Sequence, residues 1–305
     1  MKILLIGGLG FIGRRFIRKF FDYHELIILG NEKTVDSSKK NDLPVIPIEK
    51  GRIEDEKIPL VVKKYKPDVI IHLAALSGLK KCEENPHEAF KVNVLGTFNV
   101  VRSCLETNSK LIFISSREVY GETLGNESTE EDPLIPNNVY GITKMLGETI
   151  VKHAAQKYNL DYTILRLTNV YGPEAGQRGV NRIIKTAVKE KKIQINWGNQ
   201  LVNLVYVDDV VNLIGLILND KRSSRQIFNV GSSDTLTIKE FVNKVSELVQ
   251  QSIDIECLPK VKFETVSFRP NLVKLEKFLG FRAQTNLKYG IEKTINWYTE
   301  NTDDI

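Results

Sequence analysis

The chain has 305 residues, and with 42% of them hydrophobic it is long enough to bury a sizeable core. Its 43 basic and 38 acidic residues leave a formal net charge of +5, and the basic residues are scattered along the chain, which argues against a nucleic-acid-binding protein. Three cysteines without a CxxC pair and four histidines without ligand spacing predict a reduced protein that binds no metal. The apolar start is too short for a signal peptide or a membrane span, so we expect a cytoplasmic protein without a membrane partner.

Short β-branched runs alternate with helical patterns along the first half of the chain. This alternation favours a parallel sheet covered by helices on both faces, which is a doubly wound α/β (Rossmann) fold. The strands are predicted at residues 2–6, 25–29, 68–72, 110–115 and 162–167, and the helices at 11–21, 88–107 and 140–158.

The pattern loosens after Gly172-Pro173. Helices are predicted near residues 180–192, after Asp208-Asp209, and near 238–250 and 289–298, with one strand at 227–230. We therefore predict a dinucleotide-binding Rossmann domain over residues 1–172, to which the chain returns around 205–230. Residues 173–305 are predicted to form a smaller, mostly helical lobe that binds the substrate.

A glycine turn joins the first predicted strand to the first helix. In Gly7-Gly-Leu-Gly10-Phe11-Ile12-Gly13 the first glycine allows a tight turn, Gly10 lets the backbone approach a pyrophosphate, and Gly13 lets the helix pack on the sheet. The amides that open the helix, from Phe11 and Ile12 onward, face the phosphates. A dinucleotide cofactor is the predicted ligand.

The end of the second strand normally distinguishes NAD from NADP, because a carboxylate there binds the ribose hydroxyls and repels a 2′-phosphate. Here that position is Gly30, followed by Asn31, Glu32 and Lys33, while Arg14 and Arg15 begin the first helix. Space and positive charge for a 2′-phosphate are therefore both available, and Asn31 or Glu32 is an equally good partner for an NAD ribose. The sequence predicts NAD or NADP without deciding between them.

Tyr140 and Lys144 are spaced to lie one turn apart on one face of a helix. An ammonium group beside a phenol lowers its pKa, which is near 10 when free, so Tyr140 is a candidate general base. Ser116, at the end of a predicted strand, is a candidate for hydrogen bonding the same substrate hydroxyl.

The chain resembles the extended short-chain dehydrogenase/reductases, specifically the NAD-dependent epimerase/dehydratase family of nucleotide-sugar enzymes. The resemblance covers essentially the whole chain. It rests on the glycine turn, Asp68-Val-Ile-Ile-His-Leu-Ala-Ala75, Asn93-Val-Leu-Gly-Thr97, the Ser115-Ser116 strand end, Tyr140 to Lys144, Arg166-Leu-Thr-Asn-Val-Tyr-Gly-Pro173 and Tyr206-Val-Asp-Asp209.

The resemblance implies a role for each matching residue. It implies a catalytic triad of Ser116, Tyr140 and Lys144, with Lys144 also binding the nicotinamide ribose and Asn93 supporting the site. Leu73, Ala74 and Ala75 would line the cofactor, and Asn169 and Arg269 would meet a nucleotide-diphosphate sugar. The family is also expected to form homodimers through helices 88–107 and 140–158.

Within the family we favour a 4-epimerase that works through a transient 4-keto sugar. The alternatives are a 4,6-dehydratase or a UDP-glucuronate decarboxylase, both of which would use Glu118 as a catalytic residue, and less favoured are an NADPH-dependent keto-sugar reductase and a non-catalytic Rossmann sensor. Val202 stands where the family usually has an arginine that reaches the nucleotide, so the sequence does not name the sugar or the base.

Overall fold

The computed structural model describes residues 1–32, 34–35, 43–55, 58–123, 127–176, 179–264 and 267–301. Seven parallel strands form the central sheet in the order β3-β2-β1-β4-β5-β7-β11. They span β1 Lys2–Ile6, β2 Glu25–Gly30, β3 Ile48–Lys50, β4 Val69–His72, β5 Lys110–Ser116, β7 Tyr162–Leu167 and β11 Gln226–Val230. The predicted α/β fold class is confirmed.

Helices cover both faces of this sheet because its strands are apolar on both sides. All six residues of β7 are buried, for example, and one apolar cluster on each face packs the strands against the helices. These helices are α1 Phe11–Phe20, α2 Ile58–Tyr65, α3 Leu79–Glu84, α4 Pro86–Phe90, α5 Gly96–Thr107, α6 Val139–Tyr158, α8 Val207–Asn219 and α10 Val273–Leu279. A π-helical turn, Lys91–Leu95, joins α4 to α5.

The second lobe has its own apolar cluster, which includes Ile184, Phe241 and Ile291. Its helices are α7 Gly179–Lys189, α9 Ile238–Val249 and α11 Leu287–Glu300. It also contains small sheets that the sequence analysis did not predict, built from β8 Asn169–Tyr171, β9 Lys192–Asn196, β10 Leu201–Tyr206, β12 Thr235–Thr237 and β13 Asp254–Leu258. A further pair, β6 Glu127–Ser128 with β14 Arg269–Pro270, lies between the two parts of the chain. The predicted domain boundaries stay a prediction.

The strand order reverses between β1 and β4, since the chain builds outward from β1 in one direction and from β4 in the other. Ligands of doubly wound sheets bind beyond the carboxyl ends of the strands at such a switch point. Both segments there carry predicted site residues: the glycine turn follows β1, and Leu73 to Ala75 follow β4. Leu73 and Ala74 donate backbone hydrogen bonds to the Ile6 carbonyl, each at 2.9 Å, which holds the two segments together.

Candidate active site

The glycine turn is shaped to receive a phosphate group. Gly7 has φ +81°, and a Cβ there would lie 2.7 Å from the Ala74 backbone nitrogen, so only glycine fits between β1 and the segment after β4. A Cβ on Gly13 would collide with the Gly8 backbone, which explains the close packing of α1. Gly10 caps α1 without a side-chain hydrogen bond, which leaves the first amides of the helix open to an anion. These residues fit the pyrophosphate of a dinucleotide.

The ribose end of this region differs from a typical NAD site. A Cβ on Gly30 would lie 3.0 Å from the Thr34 hydroxyl, and the Asn31 side-chain carbonyl accepts a hydrogen bond from the Thr34 amide at 2.9 Å. Arg14 donates from Nε to the Leu9 carbonyl at 2.8 Å, and its Nη1 lies 4.0 Å from Glu174 Oε2. Lys33 lies outside the described residues.

Lys144 is held directly beneath the strand end that carries Ser116. Its Nζ donates to the Ile114 carbonyl at 2.6 Å and lies 4.8 Å from the centre of the Phe113 ring. Burial lowers the pKa of Lys144 to about 8, and the negative charge of Glu148, one turn further along α6, acts in the opposite direction. Tyr140 lies one turn before Lys144 on the same helix, and Ser116 is the last residue of β5, the strand that Lys144 contacts.

Asn93 connects the segment after β4 to helix α6. Its side chain accepts a hydrogen bond from the Leu76 amide at 2.8 Å and donates to the Leu76 carbonyl at 3.0 Å and to the Thr143 hydroxyl at 2.9 Å. The Thr143 hydroxyl in turn donates to the Tyr140 carbonyl at 2.8 Å. Asn93 therefore fixes α6 relative to the segment after β4.

Glu118 is buried and is bound by two neighbouring side chains. Its Oε1 lies 2.9 Å from an Arg117 guanidinium nitrogen, and its Oε2 accepts a hydrogen bond from the Asn138 amide at 2.9 Å. Asn138 is the N-cap of α6, where its Oδ1 accepts from the Gly141 amide at 2.7 Å. Glu118 thus supports the end of the helix that carries Tyr140.

A buried ion pair beneath the site was not predicted from the sequence. Arg166 Nη2 donates to Glu148 Oε2 at 2.7 Å and Arg166 Nε to Glu148 Oε1 at 3.0 Å, and the Ser115 hydroxyl donates to Glu148 Oε1 at 2.6 Å. Tyr120 adds a further partner, since its hydroxyl accepts from Arg166 Nη1 at 2.8 Å. The one available signal was an arginine within an otherwise apolar strand, 162–167.

The two predicted substrate residues lie in the second lobe and its border. Asn169 opens β8 and donates from Nδ2 to the Asn203 carbonyl at 3.1 Å. Arg269 is exposed and lines a cavity of about 460 Å³ with Ser232 and Ser233. Of the described residues that line this cavity, none belongs to the Ser116, Tyr140 and Lys144 group.

The sequence model of the NAD dependent epimerase/dehydratase family matches residues 3–231. A UDP-N-acetyl-alpha-D-glucosaminuronate decarboxylase from Bacillus cytotoxicus is 28% identical over 99% of this chain and 99% of its own length. The human dTDP-D-glucose 4,6-dehydratase is 28% identical over 98% of this chain and 90% of its own. The crystal structure of a UDP-glucose 4-epimerase from Thermotoga maritima, solved with UDP-glucose, superposes with a TM-score of 0.92 at 25% identity, covering 99% of this chain and 100% of that one.

Within the described ranges, no helix is long and apolar enough to cross a membrane. The same part of the chain holds no group of three or more acidic, histidine or cysteine side chains placed to bind a metal ion.

Proposed function

Because the chain belongs to the NAD-dependent epimerase/dehydratase family, we propose that it is a nucleotide-sugar 4-epimerase that works through a transient 4-keto sugar. It is an enzyme, as the nicotinamide-dependent members of this family are. The observation that carries the choice of reaction is the binding of the Glu118 carboxylate by Arg117 and Asn138. That carboxylate supports the N-terminus of α6, and the residue before it in sequence is Arg117 rather than an acid.

The residues of this chain perform the proton chemistry. Tyr140 removes the proton from the C4 hydroxyl of the sugar, and Ser116 positions that hydroxyl by hydrogen bonding. The Lys144 ammonium stabilises the phenolate, and it binds the nicotinamide ribose. A bound nicotinamide dinucleotide supplies the acceptance and return of a hydride at C4. When that hydride returns to the other face of the keto sugar, Tyr140 gives the proton back to the C4 oxygen. The product is the C4 epimer.

Elimination needs two further groups beside the sugar: a base for the C5 proton and an acid for the departing hydroxyl on C6. Glu118 is the candidate base, but Arg117 occupies the preceding position, and an arginine donates no proton near neutral pH. This arrangement supports epimerisation over loss of water.

A dehydratase or decarboxylase remains the second candidate, because Glu118 follows the serine at the strand end and because the human and Bacillus cytotoxicus relatives carry those names. The Glu118→Gln variant distinguishes a structural role of Glu118 in a 4-epimerase from a role as catalytic base in a dehydratase. If Glu118 supports the helix, the variant keeps 4-epimerisation within about tenfold of the parent, and no product lighter by water appears. If Glu118 is a base, the parent accumulates a 6-deoxy-4-keto sugar and the variant does not.

The direct experiment is a substrate panel. The chain is incubated with added cofactor and with UDP- and dTDP-linked hexoses and uronic acids, and the products are resolved by chromatography and mass. The proposal expects a C4 epimer of unchanged mass and no net oxidation of cofactor, which also separates it from a reductase. Complete absence of conversion across the panel contradicts it.

The cofactor is expected to be NAD or NADP, bound by the glycine turn, Gly30, Asn31 and the segment Leu73 to Ala75. The lack of a carboxylate at Gly30 removes the usual repulsion of a 2′-phosphate. We therefore expect measurable NADP binding. A titration in which NAD binds more than about tenfold tighter, a gap of ~1.4 kcal/mol, contradicts this expectation.

The partner that best fits the outer surface is a second copy of this chain. Phe90, Leu95 and Phe98 are 40%, 46% and 48% exposed, and together with Val94 and Ile150 they form an apolar surface on α4, the π-helical turn, α5 and α6. Soluble monomers rarely expose such a contiguous patch. A homodimer that covers it agrees with the expectation from the resemblance.

A further inference from the structure

Two buried donors at the ends of neighbouring central strands have no hydrogen-bond partner within the described ranges. These are Arg117 Nη1 and the Thr168 hydroxyl. In the parallel pairing of β5 with β7, Ser116 lies opposite Leu167, so Arg117 and Thr168 are the next residues along the two strands. Native proteins rarely leave buried donors unsatisfied, and an absent ligand is one established cause.

The guanidinium of Arg117 is fixed between the two parts of the chain. Only 10% of the side chain is exposed, and one of its nitrogens pairs with Glu118 at 2.9 Å. Its central carbon lies 5.7 Å from the centre of the Phe268 ring, which comes from the second lobe. Arg117 therefore extends from the strand end that carries Ser116 toward Phe268 of the second lobe, with Nη1 unpaired.

Glu264 is a charged group of the second lobe that lies near this donor. Arg117, Arg182 and Glu118 each act on Glu264 electrostatically, and Asn196 donates a hydrogen bond to Glu264 at 2.6 Å. Burial raises the pKa of Glu264, whereas the two arginines lower it. Because the cluster holds two basic and two acidic side chains, recognition of an anion rests on the unpaired donor of Arg117 and not on a net positive charge.

The identity of the anion follows from its place beside Ser116. If Ser116 positions the C4 hydroxyl, as the proposed function states, the neighbouring ring carbon is C5, which carries the C6 group of a hexose. An arginine fork and a hydroxyl donor together match a carboxylate, which accepts hydrogen bonds through both oxygens. A neutral hydroxymethyl group offers one oxygen and no charge.

We propose that Arg117 and Thr168 form a carboxylate subsite, so that the preferred substrate is a nucleotide-linked uronic acid with its carboxylate on C6. This inference rests on the proposed function for the orientation of the sugar. The contact of Arg117 with the substrate carboxylate also protects the 4-keto intermediate. Loss of carbon dioxide from a 4-keto acid moves the carboxylate electrons into the ring, and an arginine that stabilises the carboxylate opposes that step. The expected product is the C4-epimeric uronic acid.

The test is a comparison of binding within matched pairs. Dissociation constants of UDP-glucuronate and UDP-glucose, and of the dTDP pair, are measured by calorimetry on the full chain loaded with NAD. The parent is expected to bind the uronate at least about tenfold tighter than the hexose, as a charge-assisted hydrogen-bonded pair provides. Arg117→Gln is expected to reduce this ratio at least tenfold, and Arg117→Lys, which keeps the charge but not the fork, to reduce it less.

Thr168→Val guards against a folding artefact, because it removes a hydroxyl that no described residue binds while keeping the shape of the side chain. It is expected to lower the ratio several-fold with an unchanged melting temperature. Arg222→Gln is the matched control, since Arg222 is exposed and pairs with Asp220 ahead of β11, at the amino ends of the strands and away from the carboxyl ends where Arg117 and Thr168 lie. It removes the same charge and is expected to leave the ratio unchanged.

The subsite is overturned if the parent binds uronate and hexose about equally, or if Arg117→Gln leaves the ratio of uronate to hexose affinity unchanged. Turnover in the same samples reports on the proposed function separately. Conversion of UDP-glucose to its C4 epimer without any preference for uronates keeps the proposed function and refutes the subsite. Tight uronate binding without any C4 epimer keeps the subsite and refutes the proposed function, and absence of binding by all four ligands refutes both.

Discussion

Replacing Glu148 by Gln removes the negative charge beneath Lys144 while keeping the size of the side chain. Glu148 and Arg166 have side chains that are 0% and 2% exposed, so the substitution leaves a buried guanidinium without its counter-ion. Breaking such a pair by removing one partner costs about 3–5 kcal/mol. Arg166 keeps its hydrogen bonds to the Tyr120 hydroxyl and the Glu130 carbonyl, at 2.8 and 3.0 Å. The expected loss in the free energy of unfolding is therefore near the lower end of that range, about 3 kcal/mol.

Two measurements check this prediction. Thermal unfolding is expected to shift down by roughly 6 °C or more, from about 2 °C per kcal/mol for a chain of this size. The second measurement is NAD affinity against pH. Because the Glu148 carboxylate favours the ammonium form of Lys144, its removal lowers the pKa of Lys144 further, and the loss of NAD affinity at alkaline pH is expected to begin at lower pH.

Glu106→Gln is the matched control, since Glu106 pairs with Lys63 and Arg102 on the surface, where such pairs contribute at most about 1 kcal/mol. If Glu148→Gln lowers the melting temperature no more than Glu106→Gln does, the buried pair does not stabilise the fold as argued. If the melting temperature falls but the alkaline limb of NAD binding does not move, Glu148 supports the fold without setting the charge of Lys144.

Tyr140→Phe should lower turnover by a factor of roughly 100 to 10,000 while leaving nucleotide-sugar affinity nearly intact, and near-normal turnover would refute the mechanism. In the parent, NAD affinity should weaken as pH rises through about 8, because Lys144 then loses its charge; Lys144→Ala should bind NAD more weakly at neutral pH and lose this dependence. A purely kinetic defect in Lys144→Ala would remove its role in holding the ribose. Phe98→Glu should convert a dimer to a monomer in light scattering, whereas Tyr23→Glu, at an exposed ring elsewhere, should not; an unchanged mass for both would place the interface elsewhere.

The central sheet was largely predictable because six of its seven strands are short apolar runs rich in β-branched residues; the seventh, β3 Ile48–Lys50, was missed. The predicted strand 162–167 agrees with β7 to the residue, and the helix from Tyr140 begins one residue early, at Val139. The short strands of the second lobe were missed because three-residue strands such as β8 and β12 give no periodic signal. Their pairing is set by tertiary contacts rather than by local sequence.

The candidate site was predictable only where a motif carries its own chemistry. The glycine turn and the spacing of Tyr140 and Lys144 follow from local geometry: the turn joins β1 to α1, and the two residues lie one turn apart in α6. No local pattern predicts the Asn138 partner of Glu118 or the pairing of Glu148 with Arg166, because the side chains involved are distant in sequence. Whether a carboxylate acts as a base or supports a helix is decided by such partners.

The central claim is transient oxidation at C4 followed by return of the same hydride. The most direct measurement uses a nucleotide sugar that carries deuterium on C4, incubated with the chain and NAD, with the product analysed by mass and proton NMR. The account predicts a C4 epimer that keeps its deuterium on C4 and its mass, without accumulation of reduced cofactor. Loss of the deuterium to the cofactor pool, or a product lighter by water or carbon dioxide, would contradict it.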